Sequence, residues 1–363
     1  MLGLDRHAAR AAWTVFLVAL AIAIVYVIRR TLIIFVLALL LAHLLSPIVD
    51  FIDRRTPAKF SRALVLSVVY VVLLAIISTV AVAIGSQVVT EAANLASKVP
   101  DWLRQDSANT MPVPAWLDPV REPVFGWLRT QTSSLSAEIV PFLRKAGMDI
   151  LSGIGSVALF VLIPILSFFF LKDGKTMREN IVSVFADYGR SAVVAGILGD
   201  IHVVLTHYIR ALVLLAGATF CFYTLFLQLT GASYALLLAG VAALLEVIPV
   251  VGPLAAAVII VLVTALSGYH HLIWLLVFLG LYRMFQDYVL SPYLMGTGVE
   301  IHPLLVLFGV LAGEQIGGVP GMFFSVPVMA ALRVVYLRLM NERQRRRLTP
   351  ENLTVENLNP ENL

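Results

Sequence analysis

Long apolar blocks separated by short charged stretches make up most of the chain. Four early blocks approach or reach the roughly 20 residues that a membrane-spanning helix needs, at about 11 to 28, 31 to 49, 63 to 84 and 151 to 171. A fifth block runs from 209 to 229. These blocks are continuously apolar, whereas the strands of a membrane β-barrel alternate apolar and polar residues, so a β-barrel is excluded. The pattern predicts an all-α, polytopic transmembrane protein of about eight spans, give or take two.

The second half of the chain, from 232 to 340, is apolar but interrupted by Gly and Pro clusters. The pieces between the clusters, such as Leu254 to Leu266 and Pro303 to Ala312, are too short to cross a bilayer comfortably. Apolar pieces of roughly 10 to 14 residues are more often re-entrant or broken helices. We therefore expect broken or re-entrant helices in this half of the chain.

The composition also indicates a membrane protein. Hydrophobic residues make up 60% of the 363 residues and charged residues 13%, against about 25% charged in soluble domains, which excludes a soluble enzyme. The mean hydropathy is +0.92. The single cysteine, Cys221, lies in an apolar block, so neither an intramolecular disulfide nor a cysteine-based metal cluster can form. The sequence signatures of metalloproteases, serine hydrolases and nucleotide-driven pumps are missing. We therefore predict a protein that is not an enzyme and that uses no cofactor or metal.

The formal net charge of +4 is interpreted as the trace of loops that face an anionic membrane surface, and not as a nucleic-acid-binding surface. Cytoplasmic loops carry an excess of Lys and Arg. We therefore expect a multi-pass membrane protein with both termini in the cytoplasm. One basic pair, Arg29-Arg30, lies in the predicted tight turn between the first two spans, on the outer side, and is interpreted as two side chains that reach the membrane interface. The basic residues that define the cytoplasmic side follow the second span, follow the fourth span and lie in the tail: Arg54, Arg55, Lys59 and Arg62; Lys172, Lys175 and Arg178; Arg343, Arg345, Arg346 and Arg347.

Four segments follow from this topology. Residues 1–84 hold the first three transmembrane helices, and residues 85–150 form an outer, amphipathic helical subdomain. Residues 151–340 form a transmembrane transport core that includes a cytoplasmic helical link at 172–208. Residues 341–363 are predicted to form a disordered cytoplasmic tail.

The strongest local signal is a predicted helix break that follows Glu246. Pro249 and Pro253 remove two backbone donors, and Gly252 is expected to adopt a left-handed backbone between two apolar arms. Breaks at membrane depth are tolerated where the freed backbone groups line water, ligand or buried protein, as they do at the sites of secondary transporters. No basic residue lies within one helical turn of Glu246, so we predict that it is the carboxyl group that carries the coupling proton. The alternative is a kink that serves only packing.

Two other groups of residues are candidates in the transport core. Asp287 is predicted to bind substrate or ion, with neutralisation by Arg283 four positions earlier as the alternative. Glu314 is a further candidate for that role, on a segment whose glycines let another helix approach closely. The structural or hinge residues predicted around these two acids are Ser291, Pro292, Gly313, Gly317, Gly318 and Gly321.

Three spaced motifs resemble the autoinducer-2 exporter-like family of bacterial membrane proteins. They are Phe170-Leu171-Lys172-Asp173-Gly174, Ile248-Pro249-Val250-Val251-Gly252-Pro253, and the block from Gln286 to Gly296 that continues to His302-Pro303-Leu304 and Gly317-Gly318-Val319-Pro320-Gly321. The resemblance covers about residues 11 to 340. It implies an inner-membrane transporter with about eight helices and an outer segment between the third and fourth. The chain departs from the family pattern at Glu246, where uncharged polar residues are usual, and at Tyr293, where a basic residue is frequent.

The resemblance implies two kinds of substrate. Some members are linked to export of the small hydroxylated signal autoinducer-2, and others resemble sodium(lithium)/proton antiporters. The first hypothesis is therefore a secondary transporter that exports a small polar solute through the lipid bilayer, driven by an ion gradient. The second is an antiporter in which Glu246 and Asp287 exchange a proton for a monovalent cation. The third is a non-transporting scaffold whose outer subdomain binds a partner. A homo-oligomer is expected in each case.

Overall fold

The computed structural model describes residues 6–56, 61–104, 157–185, 191–295 and 302–347. The regular elements within these ranges are all helices, which confirms the predicted all-α fold. The remaining part of the predicted outer subdomain, 105–150, and the predicted tail from 348 onwards lie outside the described residues. In chain order the elements are α1 (Arg6–Val27), α2 (Arg29–Arg55), α3 (Arg62–Arg104), α4 (Val157–Val184), α5 (Ser191–Leu229), α6 (Ala235–Leu245), α7 (Val251–Leu266), α8 (Leu272–Phe285), a π turn (Gln286–Leu290), α9 (Ser291–Met295) and α10 (Pro303–Arg347).

Five segments in the described part of the chain are long and apolar enough to cross a membrane. Three shorter apolar helices accompany them: Ala12–Val27, Ala235–Leu245 and Val251–Leu266. The protein is therefore a multi-pass helical membrane protein, while the exact number of spans stays a prediction. The five long segments are Thr31–Arg55, Arg62–Lys98, Ser191–Leu229, Leu272–Leu294 and Pro303–Glu342.

The connection between α1 and α2 differs from the predicted tight turn. Only Ile28 separates the two helices, and hydrogen bonds of helical spacing continue through it, from Ile28 to the carbonyl of Ile24 and from Leu32 to the carbonyl of Ile28. The connection is therefore a bend in a nearly continuous helix. Sequence alone suggested a turn because Arg29-Arg30 interrupts the apolar pattern, but arginine is a good helix former and does not end a helix.

Helices α6 and α7 form a hairpin, called here the first hairpin. At 1.5 Å per residue they are about 16 and 24 Å long, shorter than the roughly 30 Å hydrocarbon core. Residues before α6, such as Ser233, and residues after α7, such as Ser267, line one cavity of about 220 Å³, so the open ends of the two helices lie side by side. The tip of the hairpin is the break at 246–250. This confirms the prediction from sequence that helices in this region are too short to cross the bilayer.

Helix α10 folds back on itself to form a second hairpin. The fold lies at Gly318, whose φ of 62° and ψ of −143° are outside the helical region. On the two sides of the fold, Gly313 and Gly321 face each other so closely that a Cβ on Gly321 would lie 1.9 Å from the carbonyl oxygen of Gly313. The close helix approach predicted from the glycine spacing is confirmed.

The long helix α5 packs against α2, α4, α6, α9 and α10. Near its first end, Asp200 accepts hydrogen bonds of 2.6 and 3.1 Å from Arg338, close to the end of α10. At its other end, Leu229 leads directly to the open end of the first hairpin. The two hairpins therefore enter the core from opposite ends of α5. Val247 of the first hairpin and Phe324 of the second belong to one apolar cluster, which also includes Tyr208 and Leu212 of α5.

The glycine contact in the second hairpin gives a testable result. Replacing Gly321 with alanine is expected to lower stability by about 1–3 kcal/mol or to splay the hairpin, because the new methyl group would overlap a backbone carbonyl that cannot rotate away. The matched control is Gly317→Ala, whose Cβ would meet nothing nearer than a side-chain carbon of Ile33 at 4.0 Å. Thermal unfolding of the purified variants in detergent measures both. Equal stability of the two variants would contradict the close packing.

Candidate transport site

Glu246 lies at the tip of the first hairpin and is half-buried. Its backbone N–H still bonds to Ala242, so the side chain projects from the last helical turn of α6. One carboxylate oxygen, Oε1, accepts a hydrogen bond of 2.5 Å from Nε2 of Gln286. The other, Oε2, accepts one of 3.3 Å from the hydroxyl of Thr219. The acid is therefore held by neutral donors from two other segments of the chain.

A tyrosine hydroxyl extends this network. Oγ1 of Thr219 lies 2.9 Å from the hydroxyl of Tyr282, and both side chains are buried. When Glu246 is ionised it accepts the Thr219 proton, and the Tyr282 hydroxyl is then the donor in this second bond. The result is a chain of hydrogen bonds from Tyr282 through Thr219 to Glu246. The Tyr282 ring is packed by four aromatic side chains, which hold its hydroxyl in place: Phe222, Tyr223, Phe278 and Phe285.

Gln286 begins the π turn that follows α8, and its side chain is buried. A π turn is rare and is found mostly as a single turn, frequently at functional sites. In the same turn, Asp287 accepts a hydrogen bond of 2.8 Å from Nε of Arg283, so these two charges neutralise each other as the helical spacing suggested. Asp287 therefore contributes its charge to the surroundings of Glu246 without a hydrogen bond to it. A role of Asp287 in ion binding stays a prediction.

The break itself has a different geometry from the one predicted. Gly252 does not have a positive φ; the left-handed region is occupied by Val250, with φ 65° and ψ −56°. Gly252 is required for another reason: a Cβ there would lie 1.7 Å from the carbonyl oxygen of Leu245. Pro249 lies within the break, and Pro253 lies in the first turn of α7, where its missing N–H has no acceptor within the helix. The predicted break is confirmed, and the expected left-handed Gly252 is wrong.

The other predicted residues are not brought to Glu246. Glu314 is exposed beside Gly313 on the second hairpin, and within the described residues no hydrogen bond or ion pair joins it to the network. Ser291 and Pro292 begin the short helix α9 directly after the π turn. The glycines Gly313, Gly318 and Gly321 shape the second hairpin, as described above. Their functional roles remain predictions.

Three residues of the network were missed by sequence analysis: Thr219, Tyr282 and Gln286. Thr219 is one of several polar residues in a mostly apolar span, and a threonine there can equally satisfy its own helix. Gln286 begins the family motif that runs to Gly296, but it stands beside Asp287, whose charge is the stronger signal in an apolar segment. An uncharged polar side chain in the middle of an apolar block is the signal that could have identified both.

The span predicted from the sequence places this network inside the apolar part of α5. Thr219 lies at the centre of the predicted apolar segment 209–229. A carboxyl group at that depth is costly unless it faces a cavity or partners. The titratable and charged groups around Glu246 are Tyr223 on α5, Tyr282 and Arg283 on α8, and Asp287 in the π turn.

The chemistry available here is that of a single carboxyl group with oxygen-rich neighbours. A carboxylate, a hydroxyl and an amide oxygen are hard ligands that suit a proton or a small hard cation. Among the described residues, no group of three or more His, Cys, Asp or Glu side chains is placed to hold a metal ion. The arrangement can therefore load and release one small positive charge.

Comparison with known proteins points to the same class. Residues 15–341 match the family model described as AI-2E family transporter. The chain is 24% identical over 327 residues to the "Putative transport protein YueF" of Bacillus subtilis, covering 85% of each chain. It is 29% identical over 338 residues to the "Putative transport protein MT0215" of Mycobacterium tuberculosis, covering 90% of this chain and 89% of the relative. A "Putative transport protein" of Methanothermobacter thermautotrophicus is 26% identical over 288 residues, covering 77% and 80%.

Proposed function

This chain belongs to the AI-2E transporter family, and we propose that it is a secondary transporter that exports a small polar solute, with Glu246 as the group that couples transport to an ion gradient. The observation that carries the proposal is a half-buried carboxyl group at a helix break, whose hydrogen-bond donors among the described residues, Gln286 and Thr219, are both neutral. Such a group changes charge when it gains or loses a proton.

The arrangement of the two hairpins supports transport through this point. They enter from opposite ends of α5, and Val247, the residue after Glu246, belongs to the same apolar cluster as Phe324 of the second hairpin. Movement of one hairpin can open such an arrangement from either side without separating the long helices. A nucleotide-binding signature is missing from the sequence, so an ion gradient is the proposed source of energy.

The substrate proposed is a small hydroxylated solute of the autoinducer-2 kind. The alternative is sodium(lithium)/proton antiport, and a specific observation favours it as second candidate: the hydroxyl oxygens of Thr219 and Tyr282 extend from the Glu246 carboxyl group and can act as ligands to a monovalent cation. Both candidates use the same carboxyl group. A scaffold without transport would need neither the carboxyl group nor its neutral partners.

Everted membrane vesicles separate these candidates. Solute export predicts uptake of a labelled hydroxylated solute into the vesicles, abolished when a protonophore collapses the gradient. Antiport predicts a change of internal pH when sodium or lithium chloride is added, with no added solute. Vesicles from cells without the protein are the control. Absence of both signals across a panel of solutes would contradict the transport proposal and favour the scaffold.

The orientation and assembly belong to the same proposal. We place the link 172–208 and the C-terminus in the cytoplasm of a bacterial cell, at the inner membrane, because the excess of Lys and Arg lies there. The first hairpin then enters from the outer side and the second from the cytoplasmic side. We also propose a homo-oligomer in the bilayer.

A further inference from the structure

A carboxylate on α3 bonds to the first hairpin far from Glu246. Oε2 of Glu91 accepts a hydrogen bond of 2.9 Å from the backbone N–H of Leu237, and the two residues are 146 positions apart. Leu237 is buried and Glu91 is partly buried. On α3 itself, the side-chain amide of Gln87 donates to the other carboxylate oxygen of Glu91 at 3.3 Å. Glu91 is therefore oriented by its own helix toward the start of α6.

The bonded N–H is one that α6 cannot satisfy by itself. The helix begins at Ala235, and its first internal hydrogen bond runs from Leu238 to the carbonyl of Tyr234. The N–H of Leu237 thus belongs to the first turn, where helices need an external acceptor. Helices usually obtain it from Ser, Thr, Asp or Asn at the N-cap, whereas Tyr234 stands there. Glu91 supplies the acceptor from another helix, and its negative charge matches the positive end of the helix dipole.

Helix α6 connects this bond to the transport site. It is one rigid unit of 11 residues, about 16 Å long, with Leu237 near its first end and Glu246 directly after its last residue. Its side chains are buried against α3 through Ala92 and Leu95. A shift or rotation of α6 at the Leu237 end therefore moves Glu246 relative to Gln286 and Thr219.

We propose that Glu91 is a positioning residue for Glu246. It fixes the open end of the first hairpin to α3, so that the carboxyl group at the tip meets its partners on α5 and in the π turn. Among the described residues it forms the one hydrogen bond between α3 and α6, so any step of the transport cycle that separates the hairpin from α3 must break it. The proposal rests on the proposed coupling role of Glu246.

The first measurement is hydrogen–deuterium exchange of the purified protein in lipid nanodiscs, read by mass spectrometry on peptides that cover 235–245. In Glu91→Leu we expect exchange about fivefold faster, the factor that corresponds to loss of a typical helix cap. Glu91→Gln keeps an acceptor oxygen without the charge and should lie between this variant and the parent. The control is Thr90→Ala at the preceding position of α3, because the Thr90 hydroxyl donates to the carbonyl of Ser86 in its own helix. An unchanged exchange rate in Glu91→Leu would show that Glu91 does not cap α6.

The second measurement is the pH profile of transport in everted vesicles. If Glu91 only stabilised the fold, its replacement would leave the position of this profile unchanged. Glu91→Leu should shift the profile, because Glu246 loses its position among Tyr223, Tyr282, Arg283 and Asp287, the groups that surround it. Faster exchange with an unchanged profile would overturn the positioning role. The exchange measurement does not depend on transport, so it tests the cap by itself. Failure of the coupling proposal would be seen separately, as a pH profile that Glu246→Gln leaves unchanged.

Discussion

Replacing Glu246 with glutamine is expected to abolish the pH dependence of transport while leaving the protein folded and inserted. Glutamine has nearly the same size, and its amide oxygen can still accept the hydrogen bond from Gln286 or from Thr219. It cannot gain or lose a proton. If one proton on Glu246 couples the cycle, the parent rate changes roughly tenfold per pH unit on the titrating side of its profile, and the variant profile should be flat there.

Transport in everted vesicles at several pH values measures this effect, with insertion checked by the amount of protein in the membrane. Asp287→Asn is the matched control, because Asp287 is an acid of the same region that is half-exposed and already paired with Arg283. The control is expected to retain a pH-dependent profile. A glutamine variant with the rate and pH profile of the parent would show that Glu246 is structural, and Asp287 and Glu314 would then be the next candidates.

Replacing Gly252 with valine is expected to abolish transport in a protein that still inserts. The hairpin tip is so tight that a Cβ at this position would lie 1.7 Å from the carbonyl oxygen of Leu245 and 2.7 Å from its carbon. Both are backbone atoms, so the overlap can be relieved only by opening the tip, at a cost of about 3 kcal/mol or more. Opening the tip moves Glu246, the residue next to Leu245, away from its partners.

The matched control for this variant is Gly240→Val in the middle of α6, where a Cβ would meet nothing within 4 Å. Transport by both variants should be compared at equal amounts of inserted protein. We expect the control to transport and the Gly252 variant to be inactive. Parent-level flux in Gly252→Val would show that the tip tolerates a side chain and that its geometry does not define the site.

The two experiments test different properties of the same hairpin tip. Glu246→Gln removes a titrating proton and preserves the shape, whereas Gly252→Val removes the shape and preserves the carboxyl group. Loss of pH dependence in the first and loss of all flux in the second is the combination that the proposed site requires. Flux in both at the parent level would place the transport path elsewhere in the chain.

Several features of this site could be predicted from sequence because their causes are local. Pro249 and Pro253 lack an N–H wherever they stand, so a break after Glu246 follows from the sequence of that segment alone. The spacing of Gly309, Gly313 and Gly317 likewise indicated close helix approach, which the structure shows at Gly309 and Gly313. The role of Gly252 was misjudged because two different constraints, a positive φ and a close backbone contact, both select glycine. Only the folded tip shows that the contact applies to Gly252 and the positive φ to Val250.

The sequence by itself determined the membrane class, the helical fold, the broken helices and the acid at the break, since these depend on apolar length, proline chemistry and charge within short segments. Only the tertiary structure decided which side chains surround that acid, because Thr219 and Gln286 are 27 and 40 positions away from Glu246. It also decided that Glu91 caps α6 from another helix. Contacts between distant segments depend on how whole helices pack, and a helix can present the same polar residue to a partner or to its own backbone without any change in local pattern.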